Sequence, residues 1–179
     1  MANLKILIDP SPLLRKVSTA VEALDDGTKQ QIADMLSLLR TLPGYGLAAP
    51  QVGITKRIVI IENPPIYDEN GQETNCPLPL MILVNPEITK FSKDKSSFEE
   101  GCFSVPLYRG DVIRPLKIRL AALDVEGKNI QINASGLLAR VIQHEIDHLN
   151  GILFIDHIED KSKLIKNEIG PEWQEAIEG

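Results

Sequence analysis

The chain has 179 residues, 43% of them hydrophobic and 25% charged, with a formal net charge of -6 and a sequence pI near 5.1. This balance fits one compact domain spanning residues 1–179 with a single real core, and it excludes a broad basic footprint for nucleic acid. Two cysteines are too few for a disulfide framework, no run approaches the ~18 apolar residues of a membrane span, and the opening "MANLKILIDPSPLLRK" lacks a signal peptide's long apolar stretch, so a cytoplasmic protein is expected.

In chain order, "DDGTKQQIADMLSLLRTLPG" (25–44) predicts the first helix. Asp25 or Asp26 caps its start, Ile32, Met35, Leu36 and Leu39 form its apolar stripe, and Pro43-Gly44 stops it. "GYGLAAPQVG" (44–53) is too rich in glycine for a helix and too apolar for an ordinary solvated loop. "RIVIIE" (57–62) is a strand by its β-branched content. Residues 63–79 read as a turn-rich insertion around Asn70-Gly71, with Cys76 an incidental free thiol. "LMILVNPEI" (80–88) predicts the next strand. "PLKIRLAALD" (115–124) and "NIQINA" (129–134) predict a hairpin turning at Glu126-Gly127-Lys128. "GLLARVIQHEIDHLNG" (136–151) is the second helix, closed by Asn150-Gly151. The tail 159–179 reads as partly helical, broken at Gly170-Pro171. Strands grouped between two helices, without β-α-β alternation, predict an α+β fold. Its antiparallel sheets pack around a central helix that carries the His-Glu-x-x-His pattern.

That helix raises the chemical question. His144 and His148 are four residues apart, so both rings lie on one face and can point at one ion. Glu145 sits beside them, where it can handle a proton from a bound water. A lone histidine in an apolar stripe with Leu137 and Val141 is more often packed core than ligand. The paired spacing and the intervening glutamate reverse that preference, because a buried carboxylate without a task costs several kcal/mol. A third ligand must come from elsewhere. Phe154 occupies the place where the longer HExxHxxGxxH pattern needs a histidine, and His157 is out of phase. Cys102, in "FEEGCFSVP", offers a thiolate suited to a borderline divalent ion, and it is followed by a strand-like run. Two imidazoles and a thiolate leave one position open, as in a catalytic site. Glu168, 20 residues beyond His148, is the alternative third ligand and implies a small zinc peptidase. A binding module with a structural metal would need a fourth protein ligand, which the sequence does not offer, and would leave Glu145 without a purpose.

Three separated segments, "GYGLAAPQ" (44–51), "EGCFS" (100–104) and "QHEIDH" (143–148), resemble the peptide deformylases in order and approximate spacing, and the likeness extends over nearly the whole chain. The resemblance implies an enzyme of N-terminal methionine processing that removes formyl from the N-terminal formyl-methionine of nascent polypeptides and releases formate. It implies one divalent ion, ferrous iron (Fe2+) in the cell, with zinc, nickel or cobalt able to take its place. Carried over by position, Cys102, His144 and His148 are the metal ligands and Glu145 the general acid/base. Gln51 and the backbone N–H of Phe103 hold the oxyanion, Gly46 and Leu47 line the substrate, and Arg109 lies near the outer cleft. Gly44 and Gly46 let an extended peptide approach this edge as an added strand, and Leu137 and Val141 are candidate walls for the methionine side chain. The chain departs from the family at Phe103, commonly leucine, and at Arg140, where many members carry an apolar residue. Its acidic end, "GPEWQEAIEG", leaves only Lys161, Lys163 and Lys166 as a short basic patch, which does not support a ribosome-exit contact through a strongly basic tail. Neither a membrane nor direct nucleic-acid readout is expected.

Overall fold

The computed structural model describes residues 4–168. The Asp25 carboxylate accepts the Thr28 N–H at 2.7 Å, satisfying one of the free donors at a helix start and beginning α1 at Asp26–Leu39. The chain then turns through 44 into β1, Gly46–Ala48, and a short 3-10 turn. β2 (Ile58–Asn63) and β3 (Leu78–Phe91) follow, then β4 (Lys95–Gly101), β5 (Tyr108–Pro115), β6 (Lys117–Leu123) and β7 (Asn129–Ser135). The second helix, α2, runs Gly136–Leu149, and a two-residue strand, β8, lies at Ile165–Lys166.

The strands form two antiparallel sheets, ordered β1-β2-β3-β6-β7 and β4-β5-β8. α2 packs against β1, β2 and β7 of the larger sheet and against β5 of the smaller one, which is the central helix the sequence predicts. At β2 the larger sheet is buried on both faces. Alternate residues of β2 point oppositely, so Ile58 and Ile60 meet Ile32, Met35 and Leu39 of α1, while Val59 and Ile61 meet Ile142, Ile146 and Leu149 of α2. This explains why "IVII" reads as an unbroken apolar run. Val105, Val112, Leu153, Phe154 and Ile158 form a third cluster beneath the smaller sheet. No helix among the described residues is long and apolar enough to cross a membrane.

The structure corrects several expectations. β3 begins at Leu78, so the insertion is shorter than 63–79. Cys102 is not followed by a strand: β4 ends just before it, and the backbone turns until Tyr108, with the Val105 N–H donating to the Cys102 carbonyl at 3.0 Å. The β4–β5 hairpin itself escapes sequence reading because its inward positions include Glu100 and Arg114, both buried, and an alternation rule places charges outward. Residues 161–166 form a 3-10 turn and β8 rather than helix, and 169–179 lie outside the described residues. Cys76 is exposed and unbonded to sulfur, as expected.

Candidate metal centre and active site

α2 presents His144 and His148 one turn apart, their ring centroids 5.0 Å from each other. Cys102 reaches the same point from the end of β4. One ligand atom from each of Cys102, His144 and His148 lies within 4.8 Å of the other two, with Cys102 Sγ and His148 Nε2 3.2 Å apart. Glu168 stands at the exposed rim of the cleft and outside this cluster, so the peptidase ligand set is not assembled.

The His144 ring is held from behind. His144 Nδ1 lies 3.0 Å from Glu100 Oε2, leaving Nε2 to face the cluster, and the Phe154 ring stacks against His144 at 6.3 Å between centroids. Glu100 is clamped in turn. Arg114 donates through Nε and Nη2 to its two oxygens at 2.7 and 3.0 Å, and Arg140 Nη1 donates to Oε1 at 2.6 Å. Arg114 also donates to Asp147 Oδ2 at 2.8 Å, which His157 Nε2 approaches at 2.8 Å from the other side. Arg140, the departure noted in the sequence, therefore points inward. It also donates to the carbonyls of Val112 and Ser96 at 2.9 and 2.8 Å, and Phe98 covers its guanidinium at 5.6 Å.

Electrostatics follow from this packing. Burial works against the charged form of His144, but the Cys102 thiol and Glu100 outweigh it and hold its pKa well above the usual value. Burial, joined by the neighbouring His144 charge, pushes His148 well below. Burial also raises Glu145 to about 7, with His144 and Arg114 pulling the other way. Glu100 pays the same burial cost, but its bonds to His144 and Arg114 hold it far below the carboxylate range. The fit to a cation with a bound water is supported by Glu145 Oε2, which is buried beside the cluster without a protein hydrogen-bond partner; His148 Nδ1 is also unpartnered, but it is Nε2 that meets Cys102 Sγ.

Gln51 is almost fully buried. Its Oε1 accepts the Ala48 N–H at 2.8 Å, which fixes the amide orientation and aims Nε2 at Cys102 Sγ (3.5 Å) and Ser104 Oγ (3.4 Å). Beside the cluster opens a cleft of about 870 Å³, lined among others by Gly44, Gly46, Phe103, Arg109, Leu137 and Val141. Gly46 is packed so closely that a Cβ there would lie 2.5 Å from Glu145 Oε1. Arg109 sits at the rim and pairs with Glu99 at 3.2 Å. The Leu47 side chain is fully buried in the α1 core, while its backbone follows Gly46 in β1. Sequence reading misses Glu100, Arg114, Asp147 and Phe98. One signal is available for two of them: in an extended strand Phe98, Glu100 and Cys102 share a face.

The sequence model of the polypeptide deformylase family matches residues 3–164. This chain belongs to that family. The peptide deformylase of Thermomicrobium roseum is 42% identical over 92% of this chain and 90% of its own, and that of Picosynechococcus is 45% identical over 85% and 77%. Among solved structures, peptide deformylase from Ehrlichia chaffeensis in complex with actinonin superposes with a TM-score of 0.81 at 34% identity, covering 99% of this chain and 95% of that one. The Synechococcus elongatus enzyme in complex with actinonin gives 0.79 at 36%, covering 91% and 82%. The antiparallel α+β architecture is the one these structures share. The chain is a hydrolase that removes the formyl group from the N-terminal formyl-methionine of nascent polypeptides, and metal dependence is general in its family.

Proposed function

We propose that residues 1–179 form one catalytic domain in which Cys102, His144 and His148 hold the metal, Glu145 moves the proton, and Gln51 with the Phe103 backbone N–H receives the charge on the formyl oxygen. The observation that carries this reading is the buried, unpartnered Glu145 Oε2 next to three converging ligand atoms. When bound, a divalent ion lowers the pKa of water to roughly 7 and polarises a carbonyl. The residues supply the rest. Glu145, buried and lifted to about 7, is poised to take a proton at neutral pH and return it to the departing amine. Gln51 Nε2, locked by the Ala48 bond, donates without competing as an anionic ligand. One such preorganised donor contributes about 2.7–4 kcal/mol. The glycines at 44 and 46 leave the edge of β1 open to an extended peptide, with Arg109 at the outer end of the cleft.

The methionine side chain is assigned to the part of the cleft lined by Leu137, Val141 and Phe98. Arg140 borders it, but its charge is neutralised by Glu100 and its face covered by Phe98, so the wall stays hospitable to a thioether. Ferrous iron is the ion we assign in the cell, with zinc, nickel or cobalt as substitutes, since a thiolate and two imidazoles suit all four. A cytoplasmic site of action follows from a nascent-chain substrate. A ribosome contact through the tail gains little support, because Lys161 donates its ammonium to the carbonyls of Ile155 and Ile158 at 2.5 and 2.8 Å, leaving Lys163 and Lys166 in the described part of the tail. The test is formate release from formyl-Met-Ala-Ser by protein purified anaerobically and loaded with each metal. Release that follows metal content supports the assignment, and fully loaded protein with no release above buffer refutes it.

A further inference from the structure

The Phe103 side chain lies against Gly44, across the cleft from its own loop. A Cβ built on Gly44 would fall 2.1 Å from Phe103 Cζ and 2.9 and 3.0 Å from its two Cε atoms. The ring therefore occupies the space that any other residue at 44 would fill. Phe103 is half-buried and packs on the cluster formed by α1, β1 and β2, although its backbone belongs to the Cys102 loop. Both residues line the cleft. Gly44 is on one bank, in the turn just before the edge strand. Cys102 and Phe103 are on the other.

We infer that the Phe103 ring is a positioning strut: seated on Gly44, it sets the spacing between the peptide-pairing edge at 44–46 and the loop that carries Cys102. This rests on the functional reading above and adds a role for the side chain that is separate from the backbone N–H of the same residue. The banks carry different parts of the reaction. The loop fixes a ligand and an oxyanion donor, while the edge fixes the peptide. A ring filling the gap makes their separation a property of packing, since cores resist changes of even one methylene. Leucine has no atom where the ring's Cζ lies, so Phe103→Leu leaves a void into which the edge can shift. Cys102, His144 and His148 lie on the loop and on α2, outside the edge that shifts. The loss falls chiefly on how a peptide is held, and it is smaller for a substrate too short to pair with the edge.

The experiment is steady-state kinetics of metal-loaded wild type, Phe103→Leu, Gly44→Ala and Gly44→Ala/Phe103→Leu on formyl-Met-Ala-Ser and on formyl-methionine amide, with metal content measured for each. Phe103→Leu is expected to raise KM for the tripeptide by roughly tenfold, the low end of a lost apolar contact, and to change KM for the amide by a clearly smaller factor. Gly44→Ala forces the ring or the edge aside and is expected to lower tripeptide kcat/KM by ~10²-fold, the effect of a misplacement near 1 Å. In the double variant the smaller side chain relieves the clash and recovers at least about tenfold, a coupling expected only of residues in contact. A tripeptide KM unchanged in Phe103→Leu overturns the strut, as do additive effects in the double variant or an equal loss on both substrates. If Gly44→Ala does not fold, the substrate comparison in Phe103→Leu decides alone. Failure of the deformylase site itself reads differently, because wild type would then release no formate from either substrate.

Discussion

Glu100→Gln tests the framework behind the metal ligands. Glu100 Oε1 receives Arg114 Nε and Arg140 Nη1, while Oε2 receives Arg114 Nη2 and faces His144 Nδ1. Side-chain exposure is 6% for Glu100, 5% for Arg114 and 10% for Arg140, so solvent cannot replace the lost charge. Glutamine has almost the same shape, but one of its two terminal groups is a donor. Whichever way the amide turns, its NH₂ meets donors, and two guanidinium groups lose their shared anion. Breaking a buried pair on one side costs about 3–5 kcal/mol. Arg114 keeps Asp147 and Arg140 keeps two carbonyls, so we expect the lower end, about 3 kcal/mol, or roughly a hundredfold in the folding equilibrium. Loss of the anion behind His144 also weakens the ligand, and such partners are worth ~10–100-fold in metal affinity. The assays are urea unfolding of the metal-free protein and competition of the loaded protein with a chelator of known affinity. A variant within about 1 kcal/mol of wild type that also holds its metal equally well would show that Glu100 is a bystander.

What is legible in the sequence is what it encodes locally. Spacing along one helix is local, so His144, Glu145 and His148 group together from their order in the chain alone, whereas the third donor stays open between Cys102 and Glu168 until the family motifs favour the thiolate. β2 and α2 are readable because their buried faces are apolar. The β4–β5 hairpin is not, since the groups it turns inward are a glutamate and an arginine that neutralise each other only after folding. Which of the adjacent Glu99 and Glu100 faces inward is set by the register of β4 against β5, and register is a pairing between segments that periodicity within one segment does not reveal. Leu47 shows the reverse case. Its motif reads as substrate-lining and its backbone follows Gly46 in β1, but its side chain packs into the α1 core. Arg140 looks misplaced in a helix of apolar neighbours for the same reason as Glu100: its partners come from β4 and β5.

Three further predictions concern the reacting centre. Glu145→Gln should keep its metal, as judged by elemental analysis, and lose ~10²–10⁴-fold in kcat, because the amide cannot accept a proton; near-normal turnover in the fully loaded variant refutes the role. Gly46→Ala places a Cβ 2.5 Å from Glu145 Oε1, so formate release should fall by ~10²-fold through displacement of the carboxyl while metal content is retained; unchanged kcat would show that Glu145 need not sit where it does. The last prediction is discrimination between formyl and acetyl groups. On the proposed roles, the carbonyl oxygen lies within reach of Gln51 Nε2 and the Phe103 N–H, while the peptide backbone is held along the edge at Gly44 and Gly46. Those two constraints leave the carbonyl substituent directed at the space between Glu145 and the ligand cluster. A hydrogen fits there, whereas a methyl must displace either the attacking water or the Glu145 carboxyl. Loss of packing alone discriminates one methyl by only ~1–3 kcal/mol, but displacement of a reacting group by about 1 Å costs a further ~10²-fold. Matched formyl-Met-Ala-Ser and acetyl-Met-Ala-Ser should therefore differ in kcat/KM by more than about 10³-fold, the product of these two effects. Formyl-Ala-Ala-Ser should lose less, since the methionine pocket contributes apolar burial and no reacting atom. Comparable values for the formyl and acetyl peptides would overturn this placement of the carbonyl even with all three ligands correctly assigned.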